Sequence, residues 1–255
     1  MWPCTDEGSK LGTGMNNVAI IRRSKDAREE PAYTIPEAAH YLRLPEATLR
    51  SWVVGRPYPV KSGRRYFQPV ILMPEPGLRL LSFINLVEAH VLSAIRREHR
   101  VALQKVRDAA GYFRRHMRSE HPFAEHKIET DGVDLFVRKL GNLINVSENG
   151  QLAMREVLDA HLKRIERDSA GHAVRLYVFT RNLNGDNGSQ EPKVVCIDPA
   201  ISFGRPVLSG TGIPTAVIAN RYKAGESIDQ LAADYGRQRP EIEDAIRCEL
   251  PAEAA

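Results

Sequence analysis

Cysteine is scarce in this chain. There are three in 255 residues, Cys4, Cys196 and Cys248. They lie far apart, match no C-x-x-C pattern and leave one unpaired in any disulfide scheme, which points to a reducing cytoplasm. Long apolar runs are missing as well. None approaches the roughly 20 residues of a membrane span, and residues 1–17 lack the apolar core of a signal peptide. Aromatics make up 7% of the chain, and there is no evident signature of a ligand pocket. Catalytic motifs are absent too. Gly204–Gly212 lacks the G-K-[ST] ending of a phosphate loop, Rossmann spacing is missing, and Ser209 in S-G-T-G is no nucleophile elbow. Gly210 and Gly212 read as turn residues. No carboxylate cluster suggests a metal-dependent nuclease. His116, His121 and His126 are spaced by five, not the i, i+4 of two ligands on one helix face, and Pro122 breaks any helix there. The expectation is a chain with no catalytic residues, no cofactor and no metal. An enzyme built around Gly204–Thr215 remains the alternative from another class.

What is present is ordinary in bulk and informative in places. The chain is 42% hydrophobic and 27% charged, with a net charge of +4. Its length suffices for two or three small domains. Residues 1–31 are polar and glycine-containing and read as a disordered lead-in, in which Met15 is an alternative start to Met1. The most structured message follows in Tyr33–Phe67. Thr34 with Glu37 makes a capping box, Pro36 falls in the first turn, and Ile35, Ala38, Ala39 and Leu42 repeat at helical spacing. After a break at Arg43–Leu44, Pro45 restarts a helix with Leu49, Trp52 and Val53 inward and Glu46, Ala47, Arg50 and Ser51 outward; Gly55 stops it. Two short helices joined this tightly predict a helix-turn-helix, whose second helix enters the DNA major groove. Arg56, Lys61, Arg64 and Arg65 then arrive with no acid between them. Ser62-Gly63 is turn chemistry, so Val60–Phe67 reads as a β-wing.

The order of these parts resembles the DNA-binding domain of MerR-type regulators. Thr48-Leu49-Arg50 with Trp52, and Arg65-Tyr66, carry the resemblance; Ser51-Trp52 departs from it, since that family tends to have paired tyrosines. It implies a DNA-binding domain over 32–120. Arg50 and Ser51 are expected to meet base edges. Lys61, Arg64, Arg65 and Tyr66 are expected to grip phosphate or the minor groove, with Trp52 also at the contact.

Helices are predicted over Leu80–Glu98, capped by Ser82, and over Leu103–Met117. The second is crowded with cations, among them Lys105, Arg107, Arg114 and Arg115, which are either DNA-facing or a solvated face. Residues 121–181 read as a small α+β region. In it Asp131-Gly132 turns a hairpin within 127–138, Leu152–Ile165 is a helix, and Ala173–Thr180 is a strand. Residues 182–192 have linker composition. Residues 193–250 read as a strand at Val194–Ile197, a turn-rich segment, and three helices in a helix-turn-helix-like module. Its last helix carries Glu241, Glu243, Asp244 and Glu249 against Arg247, a sign that disfavours DNA.

Ile197-Asp198-Pro199, Gly204-Arg205-Pro206-Val207, Gly210-Thr211, Ile213-Pro214, Gly225, Ser227, Leu231 and Tyr235 resemble a small domain of unknown function common in type II antitoxins. Gly212 stands where that domain often has an arginine. Together the two parts are similar to the longer VapB-type antitoxins. The resemblance implies a PIN-like ribonuclease toxin as partner, operator DNA as a second partner, and a dimer that represses its own operon. Arg205 and Arg221 are candidate toxin contacts that nothing in the sequence selects. A ligand-responsive regulator without a toxin is the first alternative. The expected architecture is mainly α (α+β).

Overall fold

The structure, a computed structural model, describes residues 26–60, 63–99, 103–125, 132–144, 148–181 and 191–251. The expected lead-in up to residue 25, Lys61 and Ser62 at the wing tip, His126, and most of the expected linker, from 182 to 190, lie outside the described residues.

Thr34 ends a two-residue strand, β1 (Tyr33–Thr34), and caps α1 (Ile35–Tyr41). Its Oγ1 accepts from the Glu37 N–H at 3.3 Å, while the Glu37 carboxylate accepts from the Thr34 N–H at 3.0 Å. Two donors that the first turn leaves orphaned are satisfied this way. Arg43, left-handed at φ 50°, reverses the chain into α2 (Glu46–Val53). The wing is a two-stranded antiparallel ribbon, β2 (Arg56–Val60) and β3 (Gly63–Phe67), with Arg56 opposite Phe67. Pro57 and Pro59 are tolerated because β2 has a neighbour on one side only.

The predicted helix from Leu80 starts later. Leu80 and Leu81 form β4 and pair with β1, and Ser82 then caps α3 (Phe83–His99) by accepting from the Asn85 N–H at 3.3 Å. Helix α4 spans Leu103–Met117, as its spacing predicts. Helix α3 buries Glu88 completely; the carboxylate is 2.9 Å from His121 Nδ1 in the turn after α4.

The middle region corrects one expectation. Residues 133–144 are a helix, α5 (Val133–Ile144), not the second strand of a hairpin. Val133, Phe136, Val137 and Leu140 are buried at i, i+3, i+4 and i+7, the helical period. The Phe136 ring meets Phe113 of α4 edge-on at 5.7 Å and Phe123 at 5.1 Å. Helix α6 (Glu148–Leu162) packs on α3 and α5 and stops before Ile165, which belongs to β5 (Ile165–Arg167).

Strands β6 (Ala173–Tyr177), β7 (Val195–Ile197) and β8 (Val207–Leu208) complete an antiparallel sheet in the order β5-β6-β7-β8, with Leu176 opposite Ile197. The segment read as a linker therefore joins two neighbouring strands of one sheet and does not set off a separate piece. Arg164 explains how its ends are held. The buried guanidinium donates to the carbonyls of Tyr177 (2.8 Å) and Val178 (3.0 Å) on one side and of Glu191 (2.9 Å) on the other. It also lies 4.3 Å from the Phe179 ring. Helices α7 (Thr215–Lys223), α8 (Ile228–Tyr235) and α9 (Arg239–Glu249) close over a small core of Leu208, Ile218, Leu231, Ile242 and Ala245. The main core is continuous from Tyr33 to Cys248. The fold is mixed α+β and mainly helical. Among the described residues no helix is long and apolar enough to cross a membrane.

Candidate nucleic-acid interface

Helix α2 and the wing form one braced unit. Leu49, Trp52 and Val53 are buried on the inner side of α2; Glu46, Ala47 and Arg50 are exposed on the outer side. Arg50 is held by Glu46 one turn earlier in an ion pair that is about half exposed on both sides. Ser51 is only partly exposed, and its Oγ donates to the Thr48 carbonyl at 2.8 Å. That hydroxyl is turned back onto its own helix.

Trp52 corrects the expectation that it lies at the DNA contact. Its side chain is 1% exposed, and its carbonyl accepts from the N–H groups of Val70 (2.7 Å) and Ile71 (3.1 Å). It anchors α2 to the connector that follows the wing. An indole buries a large apolar area, and helical spacing already sets Trp52 on the inner side with Leu49 and Val53; the contact role came from the resemblance alone.

The wing is fixed to the end of α2 through Gly55 and Tyr66. Gly55 has φ 79°, and a Cβ there would stand 2.1 Å from the Phe67 carbonyl oxygen, so only glycine fits. The Tyr66 hydroxyl donates to the Val54 carbonyl, while the ring is 49% exposed. Tyr58 and Phe67 stack across the strands at 3.9 Å. Arg64 is exposed opposite Pro59, and Arg65 pairs in register with Tyr58. Lys61 lies outside the described residues.

The cations of α4 divide. Arg107 Nε donates to the Gln68 carbonyl (2.9 Å) and its Nη2 to the Ser51 carbonyl (3.1 Å), with the guanidinium 4.6 Å from the Phe67 ring. Arg114 donates to the Glu120 carbonyl at 3.3 Å and also to that of Val70. These two brace the wing and connector against the helix. Arg115, and Arg118 just past the end of the helix, are exposed. Arg56, also exposed, lies 5.9 Å from the same Phe67 ring as Arg107. Burial first, and then the field of Arg56, hold the Arg107 pKa below its usual value. An anion beside this pair of guanidiniums would relieve their repulsion. The sequence had placed Arg56 in the cationic run, but its pairing with Arg107 needs the fold.

The candidate toxin contacts are both engaged within the chain. Arg205 bonds to Glu37 of α1, and Arg221 to Glu226 and Asp234. Arg205 belongs to a larger junction. Tyr33 donates its hydroxyl to the Gly204 carbonyl at 2.9 Å, and Arg43 in the helix-turn-helix turn donates to the carbonyls of Phe179 (3.1 Å) and Arg247 (2.7 Å). A Cβ at Gly204 would come within 2.2 Å of the Tyr33 hydroxyl. Among the described residues no group of three or more His, Cys, Asp or Glu could hold a metal ion. His121 is bound to Glu88, and His116 stacks on Tyr112.

Two short helices, a wing and a clustered cationic edge define a winged helix-turn-helix unit. Residues 31–110 match the family described as "Putative DNA-binding HTH domain", and residues 195–247 match "Protein of unknown function (DUF433)". Over 235 residues the chain is 29% identical to "Putative antitoxin VapB45" of Mycobacterium tuberculosis, covering 85% of this chain and 92% of that one. It is 24% identical over 227 residues to "Uncharacterized protein Rv2308" of the same organism, covering 86% and 90% respectively. The crystal structure of Rv2018 from M. tuberculosis has the same fold, with a TM-score of 0.59 at 24% identity over 86% of this chain and 98% of that one.

Proposed function

We propose that the protein is a DNA-binding antitoxin. It binds and neutralises a PIN-like ribonuclease toxin, and as a cytoplasmic homodimer it represses the operon that encodes both. The observation that carries this reading is the similarity along most of the chain to a protein named as an antitoxin, at 29% identity. The winged unit supports the DNA half of it. Arg50, on the open face of α2, is the proposed base-reading side chain once it exchanges Glu46 for a guanine edge. Arg56 and Arg64, with Lys61 and Arg65, are proposed phosphate contacts, and Tyr66 packs at the wing's edge. Two copies would address half-sites about one helical turn apart.

Co-expression with the product of the adjacent open reading frame tests the reading. The expected result is a stable complex, with ribonuclease activity or toxicity only when this chain is withheld. No complex, together with retained binding to upstream DNA, would leave a plain regulator. That second reading is favoured by a cleft of about 490 Å³ lined by Arg28, His121 and His172 together with the carboxylates Asp26, Glu29, Glu120 and Glu125. Ligand-dependent DNA binding would support it.

A further inference from the structure

The segment between β7 and β8 holds one side chain that the fold itself does not use. Phe203 is 97% exposed; among the described residues the next most exposed large apolar side chains, Leu78 and Leu152, reach 56%. Its backbone is left-handed (φ 55°, ψ 34°), and so is that of Ser202 at φ 48°. Left-handed backbone is unfavourable for any residue with a Cβ, and two in succession persist only where the surroundings fix them. They are fixed here. The Ile201 N–H donates to Asp198 (3.0 Å), the Gly204 N–H to Ile201 (2.9 Å) and the Arg205 N–H to Ser202 (3.1 Å); the Ser202 hydroxyl donates to the Gly212 carbonyl (3.2 Å). Tyr33 pins Gly204 from below. A rigid, strained turn thus presents a phenyl ring to solvent, and the isolated chain gains nothing from either the strain or the exposure.

We infer that Phe203 is the anchor by which this chain docks its toxin, a cationic protein with an apolar socket; the inference rests on the antitoxin reading above. The electrostatics favour that occupant over nucleic acid. Arg205 is bound by Glu37, and Arg175 by Asp198 at 3.0 Å and Glu166 at 3.0 Å. The helices beyond the turn carry seven carboxylates against five cations between residues 215 and 251. This unit lacks the cationic excess that phosphate needs, and its small surplus of carboxylates suits a protein whose own task is to bind RNA. An aromatic side chain held rigidly in place is the usual form of an interface hot spot, because little conformational entropy is lost when it docks.

Phe203→Ala and Phe203→Gly separate the ring from the strain. With the co-expressed product of the adjacent open reading frame as ligand, both variants are expected to lose affinity by at least on the order of 30-fold. Phe203→Ala should keep the melting temperature of the free chain. Phe203→Gly, which removes the left-handed penalty, should raise it by about 2–4 °C. Operator binding by both free variants should be unchanged. If the wild type binds the toxin and Phe203→Ala binds equally well, the anchor is refuted while the antitoxin reading stands. If the wild type binds no such product, the antitoxin reading fails and the toxin-docking role fails with it. If Phe203→Ala instead dissociates a dimer of the free chain, the socket belongs to a second copy and the assignment to the toxin is wrong.

Discussion

Glu88 and His121 show how one buried pair makes stability depend on pH. Burial pushes the Glu88 carboxyl above its usual range, with His121 opposing. Burial works against the His121 charge as well, but the hydrogen bond and field of Glu88 outweigh it and raise that pKa. Both groups therefore hold protons more tightly folded than unfolded. Each contributes fully below its unfolded value and loses that contribution as pH rises through its folded value. The melting temperature should fall as pH rises above about 4.3, where the unfolded glutamate titrates, and further above about 6.5, where the unfolded histidine does, and Glu88→Gln should flatten that slope; an unchanged slope would remove the pair as its source. Gly55 is the other decisive residue at this scale. Gly55→Ala places a methyl group against the Phe67 carbonyl and forces a left-handed alanine. It should cost at least about 1–2 kcal/mol, seen as a lower melting temperature together with weaker DNA binding. Arg64→Ala should leave the fold intact and lower the slope of log affinity against log salt by about 1.

Elements with local signals were legible in the sequence. Thr34 with Glu37 marks α1 and Ser82 marks α3; both cap side chains bond the backbone as their positions predict. Helix α5 was not legible. Val133–Val137 has four apolar residues around Asp134 and is too short to separate a strand from a helix by period, and Asp131-Gly132 before it has the chemistry of a hairpin turn. Packing of Phe136 between Phe113 and Phe123 decided for the helix. Phe136→Ala should destabilise the protein by about 3–5 kcal/mol in chemical denaturation; a smaller loss would mean that the three-ring cluster is loosely packed. At the candidate interface helical spacing placed Glu46, Ala47 and Arg50 outward and Leu49, Trp52 and Val53 inward, as the structure has them, whereas Ser51, also read as outward, is only partly exposed. The contact role of Trp52 came from the resemblance, and its burial against residues 70–71 removes it. The four-stranded sheet was invisible as a whole. Its strands are two to five residues long, and the strand order depends on partners far apart in sequence.

The whole molecule is less divisible than its composition suggests. Tyr33, Glu37 and Arg43 all reach from the helix-turn-helix to Gly204, Arg205, Phe179 and Arg247. Truncation after Arg181 would strip β7 from the edge of β6 and remove all of these contacts except that of Arg43 with Phe179. The truncated chain is expected to be insoluble or to bind DNA far more weakly than the full chain. A shortened protein with full operator affinity would show that the junction is dispensable.

The Arg164 staple leads to the opposite treatment of the same region. Because β6 and β7 are neighbours, and one guanidinium gathers carbonyls from both sides of residues 182–190, covalent continuity there is not what holds the sheet together. A nick between Arg181 and Glu191 should leave two fragments that remain associated. The two pieces, expressed as separate polypeptides, should reassemble by complementation into a chain-broken but active protein.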